Sequence, residues 1–250
     1  MLKLENVTKK FKGGKGINKV SFEIPQGSIC GFVGDNGMGK TTTIKCIFQE
    51  YKIDEGKILY KDEEISGSNN LLNFSLFPDS NAIPLNYRLR DYAYYQTMLY
   101  KIPRNIVTTR FKEFVKIFEL EGYEKKKLKQ LSAGMLKRAM LICAMITDSE
   151  YLILDEPTAN LDVDSRKEFL NILKWLNEQG KTIIITSHII EELQEIVDFL
   201  IFIDDGEIKY AKKINNKKEK ISDIYNKYRT SSHTNRVEEL KKYVASKDYK

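Results

Sequence analysis

The apolar run Ile29-Cys30-Gly31-Phe32-Val33 passes into Gly34-Asp35-Asn36-Gly37-Met38-Gly39-Lys40-Thr41 and then into the helix-like Thr42-Thr43-Ile44-Lys45-Cys46-Ile47-Phe48. Strand, glycine loop and helix in that order make a Walker A phosphate cradle. Glycines let the backbone fold close around phosphates, so that its N–H groups and the positive end of the following helix point at the ligand's oxygens. Lys40 is then placed to reach the β- and γ-phosphates, and the Thr41 hydroxyl to ligate Mg²⁺. The candidate nucleotide-binding set is Gly34, Asp35, Asn36, Gly37, Met38, Gly39, Lys40, Thr41 and Thr42. The motif specifies a nucleotide and leaves open which nucleotide machine carries it.

The surrounding pattern predicts an α/β chain. Val20 to Ile24 alternates apolar and polar residues, Pro25-Gln26-Gly27 supplies a turn, and Ser28 to Val33 is a continuous apolar run suited to a buried strand. Asp54-Glu55-Gly56 is a further turn, Lys57 to Tyr60 a short strand, and Ser66 to Asn70 a polar loop. From Leu89 to about Met145 the spacing becomes helical, with Tyr92, Tyr95, Leu99, Phe111, Phe114, Phe118 and Leu120 at three- and four-residue steps. Strand-like runs return at Tyr151 to Leu154, Thr182 to Thr186 and Phe199 to Ile203, with a helix from Ser165 to Gln179 between the first two. This alternation predicts a parallel sheet covered by helices and interrupted by a helical insert. No internal repeat is present, which argues against two tandem ATPase modules.

Composition narrows the classes. The chain has 250 residues, 42% of them hydrophobic and 30% charged, as in a soluble globular protein. Its longest apolar runs, Met140 to Ile146 and Phe199 to Ile203, are too short to cross a bilayer, and Met1 to Glu5 lacks a signal-peptide apolar region. These features predict a cytosolic chain that spans no membrane itself. Cys30, Cys46 and Cys143 lie in apolar segments without paired spacing, so they read as buried thiols and not as a disulfide or zinc framework. The formal charge of +6 is unevenly placed: residues 212–250 hold twelve Lys and Arg against five acids, leaving residues 1–211 near neutral. A nucleic-acid partner is therefore not expected, and the basic tail is either a solvated charge run or a contact for anionic lipid.

Tyr151-Leu152-Ile153-Leu154-Asp155-Glu156 reads as a buried strand delivering two carboxylates at its C-terminal end, a Walker B motif. Asp155 is the expected Mg²⁺ holder, and Glu156 the group that orients or deprotonates the attacking water. Leu131-Ser132-Ala133-Gly134-Met135 precedes the amphipathic Leu136 to Ile146. Taken alone it reads first as a capped helix start and only second as a phosphate contact made by dipole, N–H groups and hydroxyl.

The order of these segments, with Ala159-Asn160-Leu161-Asp162 and Thr186-Ser187-His188 after them, resembles the ATP-binding cassette (ABC) ATPase family over roughly residues 1–211. The leucine-serine-x-glycine signature is specific to that family among P-loop proteins. The resemblance implies a P-loop NTPase core with a parallel sheet, an antiparallel β subdomain and a helical insert at about residues 87–146, followed by a basic tail at 212–250. It implies ATP and Mg²⁺ as ligands. It also implies that Ser132 and Gly134 contact the γ-phosphate of ATP held by a second subunit, so that two cassettes, as homodimer or heterodimer, share two sites. Asp162 then lies in the D-loop between those sites. His188 matches the switch histidine near the γ-phosphate and Glu156, and Phe11 stands where the family stacks an aromatic on adenine, although an aromatic after a strand is also a common core residue. His233 has no reading beyond solvent.

Two departures from the family pattern are visible. Asp79, in Phe74-Ser75-Leu76-Phe77-Pro78-Asp79, aligns with a glutamine that touches Mg²⁺ and water and links nucleotide to permease; a shorter, charged residue alters that linkage. Ala133 replaces the first signature glycine, while Ser132 and Gly134 remain. The segment from Leu76 to Tyr92, Met135 in place of a signature glutamine, and Ser187 to Glu192 look most like the ATPases of drug, antibiotic and peptide exporters. Such a subunit is peripheral on the cytoplasmic face of the cell membrane, with a transmembrane permease received around Asp79 and Tyr87 to Tyr100. A soluble cassette ATPase that drives an assembly or repair complex carries the same site residues and stands as the alternative.

Overall fold

The computed structural model describes residues 1–65, 67–229 and 243–244. Its chain forms two sheets. One is antiparallel, with spatial order β2-β1-β4-β5, built from β1 (Leu2–Lys10), β2 (Gly16–Ile24), β4 (Glu55–Tyr60) and β5 (Glu63–Glu64). The other has the order β10-β9-β3-β8-β7-β6, from β3 (Ile29–Val33), β6 (Phe74–Phe77), β7 (Tyr151–Leu154), β8 (Thr182–Ser187), β9 (Phe199–Asp204) and β10 (Glu207–Lys213). Its four pairings from β6 to β9 are parallel, and the β10 edge is antiparallel.

Burial on both faces explains why the parallel strands are continuous apolar runs. Along β3, Ile29 and Val33 enter a core shared with the helices, whereas Cys30 and Phe32 enter a second core under the antiparallel sheet. β7 and β8 divide in the same way, with Leu152, Leu154, Ile183 and Ile185 on the helical side and Tyr151, Ile153 and Ile184 on the other. The three cysteines are all buried and free.

The helices are α1 (Lys40–Ile47), α2 (Ser68–Leu71), α3 (Leu89–Met98), α4 (Arg104–Ile117), α5 (Ala133–Met145), α6 (Val163–Glu178), α7 (Ile190–Leu193) and α8 (Ile221–Tyr228). Asp162 caps α6 by accepting from Ser165 N at 2.8 Å, and Phe169, Leu173 and Leu176 then bury one face of the helix. α3, α4 and α5 form the helical insert, with Leu89, Tyr92, Val107, Phe111, Val115 and Phe118 in its core. Tyr95 and Leu99 point out of it, so only part of the aromatic stripe is core. The segment read as a polar loop around Ser66 to Asn70 contains the single turn of α2.

A division of the chain at residue 211 falls inside β10, which runs to Lys213. Beyond it Ile214 and Ile221 are buried in the main core, and α8 packs Tyr225 against Phe202 with ring centroids 5.1 Å apart. The segment through α8 is thus built into the ATPase fold, with Ile214 and Ile221 buried in the core and Ile224, Tyr225 and Tyr228 packed against it. Residues 230–242, His233 among them, and 245–250 lie outside the described residues. Truncating the fully buried Ile221 to Ala is expected to cost about 2–4 kcal/mol of unfolding free energy. Urea denaturation measures it, and a change under about 0.5 kcal/mol would mean that α8 is only a surface appendage.

Candidate active site

The phosphate loop joins the end of β3 to α1, and the neighbouring parallel strands β8 and β7 end on the same edge of the sheet. That edge is where open parallel sheets gather ligands. The loop is held by close approach. A Cβ on Gly34 would stand 2.4 Å from Ile203 O, and Gly39 has φ 110° with room for a Cβ only 2.7 Å from Ile17 Cγ2. Neither position accommodates another residue without displacement.

Lys40 is buried, and its Nζ donates to Gly34 O at 2.6 Å and to Asp35 O at 3.3 Å while standing 3.4 Å from Glu156 Oε1. The other oxygen of Glu156 accepts from His188 Nδ1 at 2.8 Å. The carboxylate therefore lies between the phosphate-loop lysine and the histidine that follows β8. Its backbone is in the left-handed region, with φ 48°.

Asp155 is buried and its two oxygens are divided between two hydroxyls. Thr41 Oγ1 donates to Oδ2 at 2.8 Å and Thr186 Oγ1 donates to Oδ1 at 2.7 Å. Burial pushes the Asp155 carboxyl above the usual carboxylate range, and the two threonine hydroxyls oppose that shift. Thr186 Oγ1 also accepts from Glu156 N at 2.8 Å. Thr186 was not singled out by pattern because a hydroxyl at the end of an apolar strand has no distinguishing signal.

A cleft of about 450 Å³ is lined by Asn36, Gly37, Gly39, Lys40, Thr41, Thr42, Asp79, Glu156 and His188, among others. Asp79 caps a short turn by accepting from Asn81 N at 3.4 Å and faces this cleft. Gly34, Asp35 and Met38 do not line it: Gly34 and Asp35 carry the carbonyls that hold Lys40, and Met38 O accepts from Gly206 N at 3.1 Å. Phe11 is outside the lining as well, on the turn after β1, where its ring meets Tyr51 edge-on at 5.2 Å between centroids. A larger apolar groove of about 940 Å³ between α4 and α6 contains no phosphate-loop residue and neither Walker B carboxylate.

Ser132 and Gly134 also lie outside the cleft. Ser132 is the N-cap of α5 and accepts from Met135 N at 3.3 Å, which leaves this helix start exposed. Lys137, one turn further along, is buried and reaches the Walker B turn, donating to Ser80 Oγ at 3.0 Å and Glu156 O at 3.3 Å. Burial pushes its ammonium down, while Asp79, Glu156 and Asp155 oppose the shift. Sequence periodicity places Lys137 on an amphipathic helix without revealing this contact.

Oxygen ligands from Thr41, Asp155 and Asp79 suit a hard divalent cation such as Mg²⁺. A buried carboxylate that is costly to ionise is also the group whose burial a bound cation offsets.

The arrangement matches known proteins in sequence and in shape. Residues 17–159 fit the family model for the ABC transporter. The SkfA peptide export ATP-binding protein SkfE of Bacillus subtilis is 31% identical over 208 residues, covering 83% of this chain and 87% of SkfE. The spermidine/putrescine import ATP-binding protein PotA of Mycoplasma capricolum is 32% identical over 211 residues, covering 84% of this chain but only 60% of PotA. A dimeric ATP-binding cassette, MJ0796, bound to ADP and phosphate in a post-hydrolysis state, superposes with a TM-score of 0.74 at 26% identity, covering 86% of this chain and 99% of that one. With its phosphate loop, helical insert and Walker B strand in this order and geometry, the chain belongs to the ABC transporter family as one of its ATP-binding ATPase cassettes.

Proposed function

We propose that the chain works as one of two cassettes that share ATP between them and drive a transmembrane permease, in the direction of export. The observation that carries the shared site is the separation just described. Lys40, Thr41, Glu156 and His188 line one cleft, with the buried Asp155 bonded to Thr41, while Ser132, exposed, and Gly134, half-buried, lie outside it. A second chain, identical or different, would bring its own helix start to the γ-phosphate end.

In this reading the loop N–H groups and Lys40 hold the phosphates, and Lys40 gives up Gly34 O and Asp35 O for them. Thr41, Asp155 and Asp79 would hold Mg²⁺, whose chemistry is to neutralise charge on the phosphate oxygens. Glu156 aims the attacking water and takes its proton as oxygen bonds to the γ-phosphorus and the β–γ bridging bond breaks. His188 keeps the Glu156 carboxylate in that direction from 2.8 Å away. Phe11 offers its exposed face to adenine. Loss of the γ-phosphate removes what joins the two chains, and the pair reopens.

Support for the permease is the exposed Tyr87, Tyr95 and Met98, which line one groove at the start of the insert and suit an apolar helix from a membrane partner. Among the described residues no helix is long and apolar enough to cross a membrane, in keeping with a peripheral subunit that needs such a partner. Relatives include both an export and an import protein. Export is favoured by Met135 and by the segments Leu76 to Tyr92 and Ser187 to Glu192.

Mixing two inactive variants tests the shared site. Lys40→Ala spoils the phosphate loop and Ser132→Arg spoils the helix start, yet a mixed pair keeps one intact composite site. Phosphate release is expected to be absent from either variant and restored in the mixture. A mixture that forms mixed pairs, detected by differential tags, but stays inactive would overturn sharing.

The transport reading predicts that the tagged chain, extracted from its own cells in mild detergent, retains a multispanning membrane protein. Vesicles containing both, with ATP on the cassette side, accumulate cargo in the lumen. Recovery only with soluble scaffold proteins would instead favour an assembly role.

A further inference from the structure

Glu156 carries the water-aiming role in a left-handed backbone conformation that is unfavourable for a residue with a Cβ. Such a torsion persists where the flanking backbone groups are held from outside. On one side the Glu156 N–H is held by Thr186 Oγ1 at 2.8 Å. On the other, Glu156 O accepts from Lys137 Nζ and from Ala159 N, each at 3.3 Å. The left-handed turn swings the side chain off the line of β7, toward Lys40 and His188.

Lys137 is an expensive residue to place there. It is 4% exposed, and a buried ammonium is a net cost unless well partnered. Its remaining contacts are Ser80 Oγ at 3.0 Å and the face of Phe77, 5.4 Å from Nζ to the ring centroid. Ser80 follows Asp79, the residue that departs from the family's glutamine. One side chain thus touches three segments: the helix that begins at Ser132, the turn that carries Asp79, and the carbonyl of Glu156. An apolar side chain of the same length would fill the space, so packing alone does not account for the charge.

We propose that Lys137 is a positioning residue for ATP hydrolysis, holding the left-handed backbone of Glu156 and linking the orientation of α5, with Ser132 and Gly134 at its start, to the aim of the Glu156 carboxylate. The proposal rests on the reading of Glu156 as the residue that aims water. A shift of α5 when a second chain docks on its exposed start moves Nζ relative to the Walker B turn. Hydrolysis is thereby tied to pairing, through a contact inside one chain.

Lys137→Met keeps the volume and removes charge and donors, and Lys137→Gln keeps a donor on a shorter stem. Each is measured for thermal unfolding, KM for MgATP and kcat, beside wild type and Glu156→Gln. The expected result for the Met variant is a Tm equal to or above wild type, a KM within about threefold, and a kcat lower by about tenfold or more, as misplacement of a reacting group produces. The Gln variant is expected to fall between it and wild type. A merely structural lysine would lower Tm and leave the kcat of the folded fraction unchanged, and that result would overturn the proposal. Turnover within about twofold of wild type in both variants would do the same, and if the Met variant does not fold the Gln variant decides. Should Glu156→Gln retain wild-type turnover, the reading of Glu156 fails and takes the role of Lys137 with it. If that variant is inactive while both Lys137 variants are normal, the Lys137 proposal alone fails.

Discussion

The carboxylate of Asp155 is the junction on which the rest of the site depends. Thr41 from the first turn of α1 and Thr186 from the end of β8 each donate to one of its oxygens, so three separate elements meet at one buried group. A buried carboxylate is tolerated only where such charge-assisted bonds replace its lost water. The same Thr186 oxygen accepts from the Glu156 N–H, which passes the position of Asp155 on to its neighbour. Glu156 then meets Lys40 and His188, so the phosphate loop, the Walker B strand and the segment after β8 form one polar network.

That network sits in a fold whose parallel strands were largely readable from composition. Tyr151 to Leu154 was legible as a strand with its observed bounds, since a continuous apolar run ending in two acids is what a strand buried on both faces looks like. β1 was harder to see because Asn6 adopts φ 50° and the register shifts between Leu4 and Val7, which breaks the alternation. β10, Glu207–Lys213, is a half-buried edge strand rich in charge, and its polarity hides it. The residues of the phosphate loop and of Walker B were legible because their chemistry is local in sequence. Thr186 and Lys137 act through contacts 31 and 19 residues away in sequence, and no local pattern reports these.

The basic C-terminal segment shows how charge can mislead. By composition residues 212–250 form a tail, yet Ile214 and Ile221 are buried and α8 reaches the phosphate loop. Tyr225 Oη donates to Asp35 Oδ1, and Arg229 Nη2 donates to Asp35 Oδ2 at 3.1 Å. Arg229 also lies over the Tyr225 ring, 5.5 Å from its centroid. Asp35, read from sequence as part of the phosphate cradle, thus anchors the C-terminal helix with its side chain while its carbonyl accepts from Lys40. The helix and the nucleotide loop are held by one residue, which gives the segment after β10 a direct physical connection to the site.

The central claim is that Glu156 is aimed by this network for hydrolysis and is not needed to bind ATP. Measuring ATP affinity and phosphate release together for Glu156→Gln tests it most directly. The account predicts affinity close to wild type, with turnover reduced by about a hundredfold or more, since the amide keeps the shape and cannot accept the proton of the attacking water. Turnover near the wild-type rate, or a loss of ATP binding that accounts for the whole defect, would contradict it.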